Sequence, residues 1–303
     1  MTGHDARDVN AGIVVIGDAI VDVLEDPDGS RSRHPGGAGL NTAVGLAILG
    51  HQVTQVAALG HDSDGEWLED YLRQHGVHLL RCDEHATTGT ATSRRVGGEP
   101  TYSFDDALLR RDLGVPAQAL EPIRSAQAVV VTAFPFDDER QVASVCDALA
   151  VASGLRAVDP NPRPALLRDP DAFRDGLHRA LAHADLAKLS EEDVGLLYAG
   201  SEADAISSIH AAGTPTVLLT RGSRGATLVR EDGRRIDVEI AAMPGAVVDT
   251  LGAGDATLAS FVGEVVRVGL HATDQQLREA LDQAMRVAGA TARQLGGRLQ
   301  LPT

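Results

Sequence analysis

The chain has 303 residues, enough to bury a substantial core in one large α/β domain or two. Its 43 acidic residues outweigh 27 basic ones, and the formal charge of −16 argues against nucleic acid or an anionic membrane as a partner. Two cysteines, Cys82 and Cys146, form neither a disulfide framework nor a metal-ligand spacing, so the thiols are expected to be reduced and the chain cytoplasmic.

Met1 to Ala11 is polar and charged, and no stretch reaches the roughly 20 apolar residues that cross a membrane. Gly12 to Gly17 is a short apolar run, which predicts a strand buried on both faces. It leads into Gly17-Asp18-Ala19-Ile20-Val21-Asp22. A carboxylate can accept from two hydroxyls of a polyol, although a solvated strand end is the commoner use of Asp. Val23 to Pro35 and Thr87 to Phe104 are polar, turn-rich and strand-like. They are expected to pair as a small sheet acting as a lid; two unrelated surface loops are the alternative. Pro35-Gly36-Gly37-Ala38-Gly39-Leu40-Asn41 opens a helical pattern running from Leu40 to Leu49. Its glycines let backbone approach a ligand or bend tightly, and Asn41 adds a donor and an acceptor.

Further apolar runs stand at Val53 to Leu59, Ala128 to Thr132, Arg156 to Val158, Leu186 to Leu189 and Thr216 to Thr220. Helical patterns alternate with them at Asp64 to His75, Glu139 to Ala152, Asp171 to Ala184 and Ser201 to Ala212. Ala256 to Val268 and Asp274 to Leu295 close the C-terminal half. This alternation predicts βαβ units, a largely parallel sheet and one domain over residues 1–303 with the lid segments inserted.

Three polar strings follow predicted strands, where open α/β sheets bind ligands. Asp159-Pro160-Asn161-Pro162-Arg163 offers a guanidinium for a sugar hydroxyl or a phosphoryl oxygen; a Pro-fixed turn with a surface Arg explains it equally well. Lys188-Leu189-Ser190-Glu191-Glu192-Asp193 holds the chain's single lysine, and Ser190 with Asp193 reads as a variant capping box. Thr220-Arg221-Gly222-Ser223-Arg224-Gly225 lies between apolar runs, as a hairpin turn would. None of the 11 His forms an H-x-x-x-H pair, so zinc chemistry has no support. A Walker A loop and a dinucleotide fingerprint are both absent.

Val248-Asp249-Thr250-Leu251-Gly252-Ala253-Gly254-Asp255 is the most informative string. Three small residues before a helix leave its first N–H groups open to an anion, with the positive end of the helix dipole behind them. A carboxylate at Asp255 would stand beside that anion hole, able to take a proton from an attacking hydroxyl. The pairing points to phosphoryl transfer to an alcohol.

The string resembles D-T-x-G-A-G-D, the second signature of the ribokinase-like (pfkB) carbohydrate kinases, with every fixed position present. Gly36 and Gly37 with Asn41 resemble the first signature, and the match runs from about Gly12 to Gly297. The resemblance implies a ribokinase-like three-layer α/β/α fold, ATP and Mg2+, potassium as members often also use, and a homodimer paired through its lids. It implies Asp255 as base, with Gly252, Ala253 and Gly254 as the anion hole. Asp22, Gly36, Gly37, Asn41, Asn161 and Arg163 would hold the sugar. Lys188, Ser190, Thr220, Gly222 and Gly225 would hold the nucleotide. Asp193 would reach Mg2+ through water, in doubt because members commonly carry Asn-x-x-Glu here. Asp249 and Leu251 would adjoin a monovalent cation.

Asp159 to Arg163 and Lys188 to Ser190 look fructokinase-like, so a fructokinase is the first expectation. Alternatives are 2-keto-3-deoxygluconate kinase, ribokinase or a nucleoside kinase. Ala38 stands where ribokinases carry Lys, and the few aromatics near the lid (Tyr102, Phe104) weigh against a nucleoside. A catalytically silent sugar- or nucleotide-sensing protein on the same fold is the reading from another class.

Overall fold

The computed structural model describes residues 12–25, 28–83, 86–96 and 99–302; Met1 to Ala11 and the side chain of Tyr102 lie outside the described parts. The chain enters through β1 (Ile13–Ile16) and turns out into β2 (Ile20–Glu25) and β3 (Arg31–Gly36). It returns by α1 (Ala38–Ile48), β4 (Val53–Ala57), α2 (Ser63–Gln74) and β5 (Val77–Arg81). A second excursion makes β6 (Thr90–Val96) and β7 (Glu99–Phe104), and α3 (Asp106–Leu109) and α4 (Leu120–Ser125) lead back. Strands and helices then alternate as β8 (Ala128–Thr132), α5 (Glu139–Val151), β9 (Leu155–Asp159), α6 (Pro170–Leu181) and β10 (Leu186–Ser190). Next come α7 (Glu191–Leu197), α8 (Glu202–Ala212), β11 (Thr216–Thr220), β12 (Ala226–Arg230) and β13 (Arg235–Val238). The last helices are α9 (Ala253–Val268) and α10 (Asp274–Thr291).

Nine strands form one sheet in the order β13-β12-β11-β10-β9-β8-β1-β4-β5. Seven run parallel, and only β12 and β13 pair antiparallel, at one edge. From β1 the chain goes to β4 on one side and later to β8 on the other. Strand order therefore reverses at β1, and a crevice opens beyond the carboxyl ends of its neighbours.

Side-chain alternation along each strand builds two cores. Ile13 and Val15 face Leu40, Leu258, Phe261 and Leu281, beneath α1, α9 and α10. Val14 and Ile16 face the other way, toward Ile123, Val145, Leu177 and Ile209 of α4, α5, α6 and α8. Strands buried on both faces between helices give the three-layer α/β/α architecture that the sequence predicts.

The small sheet has the order β3-β2-β6-β7, with β2 and β6 parallel. It starts at Ile20, ahead of the expected Val23, because Ile20 and Val21 already pair with Gly36 and Pro35. Pro35, which has no N–H to donate, sits in the edge strand β3, where a proline is tolerated. Arg33 of β3 reaches α2 in the main body: its guanidinium is 2.5 Å from Asp64 and 5.7 Å from the centre of the Trp67 ring.

Other elements also differ from expectation. β5 went unread, because it mixes polar and apolar residues at the sheet edge. α10 ends at Thr291 rather than Leu295, and Arg293 there is drawn onto the carbonyls of Met243, Pro244 and Gly245. α9 begins at Ala253, earlier than Ala256, because Gly252 takes a left-handed conformation (φ 74°) and caps it. Both cysteines are free and partly buried, and among the described residues no helix is long and apolar enough to cross a membrane.

Candidate active site

Asp255 lies in the first turn of α9, 7% exposed. The Asn41 side-chain amide donates from Nδ2 to Asp255 Oδ2 at 2.9 Å. Burial raises the carboxyl's pKa, while the Asn41 hydrogen bond and the charges of Lys188 and Arg163 oppose the rise. The Ala253 N–H is already bonded to the Thr250 carbonyl at 3.2 Å. Among the described residues, the N–H groups of Gly252 and Gly254 have no acceptor. Unbonded N–H groups therefore flank Ala253 on both sides.

The loop before α9 is braced from behind. Asp249 accepts from Leu251 N–H at 3.0 Å and from Gly296 N–H at 3.2 Å. A Cβ on Gly252 would fall 2.4 Å from the backbone of Gly297, and one on Gly297 would fall 2.4 Å from Asn41 Nδ2. The C-terminal loop thus packs between the two signature strings.

Asp22, on β2 of the small sheet, lies over Gly36: a Cβ there would stand 1.9 Å from Asp22 Oδ2. Gly37 caps α1 with φ 96°, which sets Asn41 in the helix's first turn. Burial first, then the negative charges of Asp255 and Asp249, push the Asp22 pKa up to about 7, against the pull of Arg163. These couplings group Asp22, Asp255, Asp249 and Arg163 electrostatically. Asn161 holds φ 38°, a left-handed conformation that Asn tolerates better than most residues. Arg163 is exposed and has no ion-pair partner among the described residues.

Asp18 also feels the charge of Arg163. It is buried and lies 3.0 Å from Arg111 Nε, and burial raises its pKa in spite of that pairing. Two cavities adjoin the pair. One, of about 20 Å³, reaches Asn161 and Arg163; the other, of about 430 Å³, runs under the small sheet along Ile20, Gly89 and Leu108. Neither is lined by Asp255.

Across the crevice Lys188 is 4% exposed, with its ammonium 2.9 Å from Asp159 Oδ2. A Cβ on Gly254 would stand 3.4 Å from Lys188 Nζ, so the lysine lies over the first turn of α9. Ser190 and Asp193 form the capping box: Ser190 Oγ accepts from Asp193 N–H at 3.2 Å, and Ser190 N–H donates to Asp193 Oδ2 at 2.6 Å. Thr220 Oγ1 donates to the Leu189 carbonyl at 3.4 Å. Gly222 and Gly225 turn the chain from β11 into β12, and Arg221, just before the first of them, is tied to both oxygens of Glu202 at 2.7 Å.

Over residues 10–303 the sequence matches the pfkB family of carbohydrate kinases. The chain belongs to that family. It is therefore a phosphotransferase acting on a sugar hydroxyl. A fructokinase of Klebsiella pneumoniae is 34% identical over 272 residues, covering 86% of this pfkB chain and 87% of the relative. A fructokinase of Salmonella typhimurium is 31% identical over 294 residues, covering 94% of each. The crystal structure of Vibrio cholerae O395 fructokinase with fructose, ADP and calcium ion shares the fold, with TM-score 0.80, 23% identity and 95% of each chain covered.

Sequence reasoning left three residues of this pfkB site unassigned. Asp159 was read only as part of a strand-end string, although its place one strand from the single lysine was a usable signal. Arg111 lies in a loop without a pattern. Gly297 carries no local signal, since its importance comes from the backbone it meets.

Proposed function

We propose that this kinase transfers the γ-phosphoryl group of ATP to a hydroxyl of fructose. The observation that carries the reading is Asp255, buried at the start of α9, held by Asn41 and flanked by the open N–H groups of Gly252 and Gly254. Fructokinases of about 30% identity over most of the chain support the choice of sugar.

In this reading Asp22, Gly36, Gly37, Asn161 and Arg163 hold the sugar, and Asn41 orients Asp255. Asp255 takes the proton of the attacking hydroxyl as the oxygen bonds to the γ-phosphorus in line and the bond to ADP breaks. Gly252 and Gly254 stabilise the transferring phosphoryl through their N–H groups, with Ala253 fixing the turn between them. Lys188 adds a positive charge, while Thr220, Gly222, Gly225 and Ser190 shape the nucleotide side. The small sheet excludes water when it closes over the sugar.

Among the described residues no group of three His, Cys, Asp or Glu side chains could hold a metal. That suits Mg2+ arriving on the phosphates, since it keeps waters and needs few protein carboxylates. Asp193 fits a water-mediated contact, because its capping box uses one carboxylate oxygen and leaves the other. When bound, Mg2+ would neutralise charge on the phosphates. Asp249 and the Leu251 carbonyl are the donors proposed for K+. A homodimer joined through the small sheets, in the cytoplasm, completes the proposal.

The test is ADP release from ATP with magnesium and potassium, over fructose, 2-keto-3-deoxygluconate, ribose and a set of nucleosides. Fructose turnover that falls about 10²-fold or more in Asp255→Ala is expected. A loss under about tenfold in a folded variant would remove Asp255 as base. Turnover with another sugar alone would replace fructose. Binding of sugar or ATP without turnover would favour the sensor.

A further inference from the structure

β9 and β10 run parallel, with Ala157 beside Leu186 and Val158 beside Ala187. One residue further on come Asp159 and Lys188. Ala157 and Leu186 belong to the core beneath α9, whereas Val158 and Ala187 belong to the opposite one. The two-residue period therefore turns Asp159 and Lys188 toward α9. Asp159 is fully buried, and its Oδ2 accepts from the Lys188 ammonium at 2.9 Å.

A lysine is a compact charge on a flexible stem, which a phosphate site must hold in place. Here the stem rises from β10 on the α9 side of the sheet, and the ammonium stands over Gly254. The pair also keeps capacity in reserve. Asp159 Oδ1 is buried and has no hydrogen-bond partner among the described residues, and an ammonium has three donors. A buried ion pair serving stability alone needs its remaining polar atoms satisfied.

We infer that Asp159 is a positioning residue, whose carboxylate fixes the Lys188 ammonium over the start of α9 so that it meets the γ-phosphoryl group of ATP. The inference rests on Lys188 as a phosphate contact, proposed above. It separates the two halves of the site: Asp159 acts on the nucleotide side through Lys188 and leaves the sugar side alone. A buried carboxylate facing a lone lysine could instead be purely structural, and the two roles differ in what they change.

The experiment measures kcat, KM for ATP, KM for the sugar that wild type turns over, and Tm. The variants are Asp159→Asn and Asp159→Glu, each also placed in a Lys188→Met background. Asp159→Glu keeps the charge and moves it by one methylene, so it remains informative where Asp159→Asn does not fold. Each single variant is expected to lose on the order of tenfold or more in kcat/KM for ATP, as misplacement of an electrostatic group does. The sugar KM should stay within about twofold, and in the Lys188→Met background the Asp159 variants should cost under about twofold more, since the effects share one group. A lower Tm with kcat/KM for ATP within about twofold of wild type would make the pair structural and overturn the inference. If Lys188→Met itself leaves kcat/KM for ATP unchanged, the phosphate role of Lys188 fails first, and the positioning role with it.

Discussion

Asn41 and Asp255, separated by 214 positions in sequence, meet through one hydrogen bond of 2.9 Å from amide to carboxylate. That bond joins the helix opened by the first glycine-rich string to the helix opened by the second. It also fixes which carboxylate oxygen is occupied, so that in the proposed reaction Asp255 Oδ1 would receive the hydroxyl proton.

Asn41→Asp should therefore place a second carboxylate against Asp255. Like charges at this distance raise the pKa of at least one member of the pair. The acid limb of kcat should move to higher pH, with kcat at neutral pH falling by on the order of 10²-fold, as for a lost general base. A pH–rate profile identical to wild type would show that the amide plays no part in setting the base.

Asp22→Asn should stabilise the fold while impairing sugar binding. The Asp22 pKa of about 7 stands above its unfolded value near 4. Between those values the native state binds more protons than the unfolded one, so this group's contribution to stability declines as pH rises from about 4 to 7. Above pH 7 the folded protein carries an unfavourable buried charge, which the amide removes. Tm at pH 8 should rise in Asp22→Asn, by roughly 1–2 °C per kcal/mol relieved in a chain of 303 residues, and sugar affinity should drop. An unchanged or lower Tm at pH 8 would contradict this account.

Much of this was legible in the residues, for reasons that differ by place. Gly252 and Gly254 were readable because a small-residue run before an acid has few structural uses. Ser190 with Asp193 was readable because a capping box is local, and the observed bonds are those of the box. Asn41 drew attention as a donor near a ligand, but its partner 214 positions away could not be seen from spacing. Asp18 shares its strand-end string with Asp22, and nothing local shows its burial against Arg111, which depends on a loop arriving from beyond the small sheet. Long-range approach is what a single sequence hides.

Gly252→Ala should be costly twice over. Its φ of 74° strains any side chain, and the new Cβ would strike Gly297 at 2.4 Å. The loss in stability should be on the order of 1–3 kcal/mol, the range for an ill-suited left-handed site. Because relief requires the loop before α9 to shift, kcat should fall as well. Denaturant unfolding together with kinetics checks both, and wild-type kcat in a destabilised variant would separate them.

Arg33→Ala should loosen the small sheet from α2 with little effect on global stability, since its ion pair with Asp64 is largely exposed. Trp67 is the chain's only tryptophan and lies under the Arg33 guanidinium. Its emission should therefore report the docking of β3. Fructose is expected to change Trp67 fluorescence in the wild type and to change it much less in Arg33→Ala. An equal response in both would mean that β3 does not move against α2 when the sugar binds.

The burial of the chain's single lysine gives the protein an unusual outer chemistry. With Lys188 only 4% exposed, the chain's one ε-amine is shielded from amine-directed reagents. A reagent reaches the one ε-amine through the crevice that the γ-phosphoryl group is proposed to fill. Its acylation rate in a pulse of such a reagent would therefore report how open that crevice stands, and bound ATP should slow it.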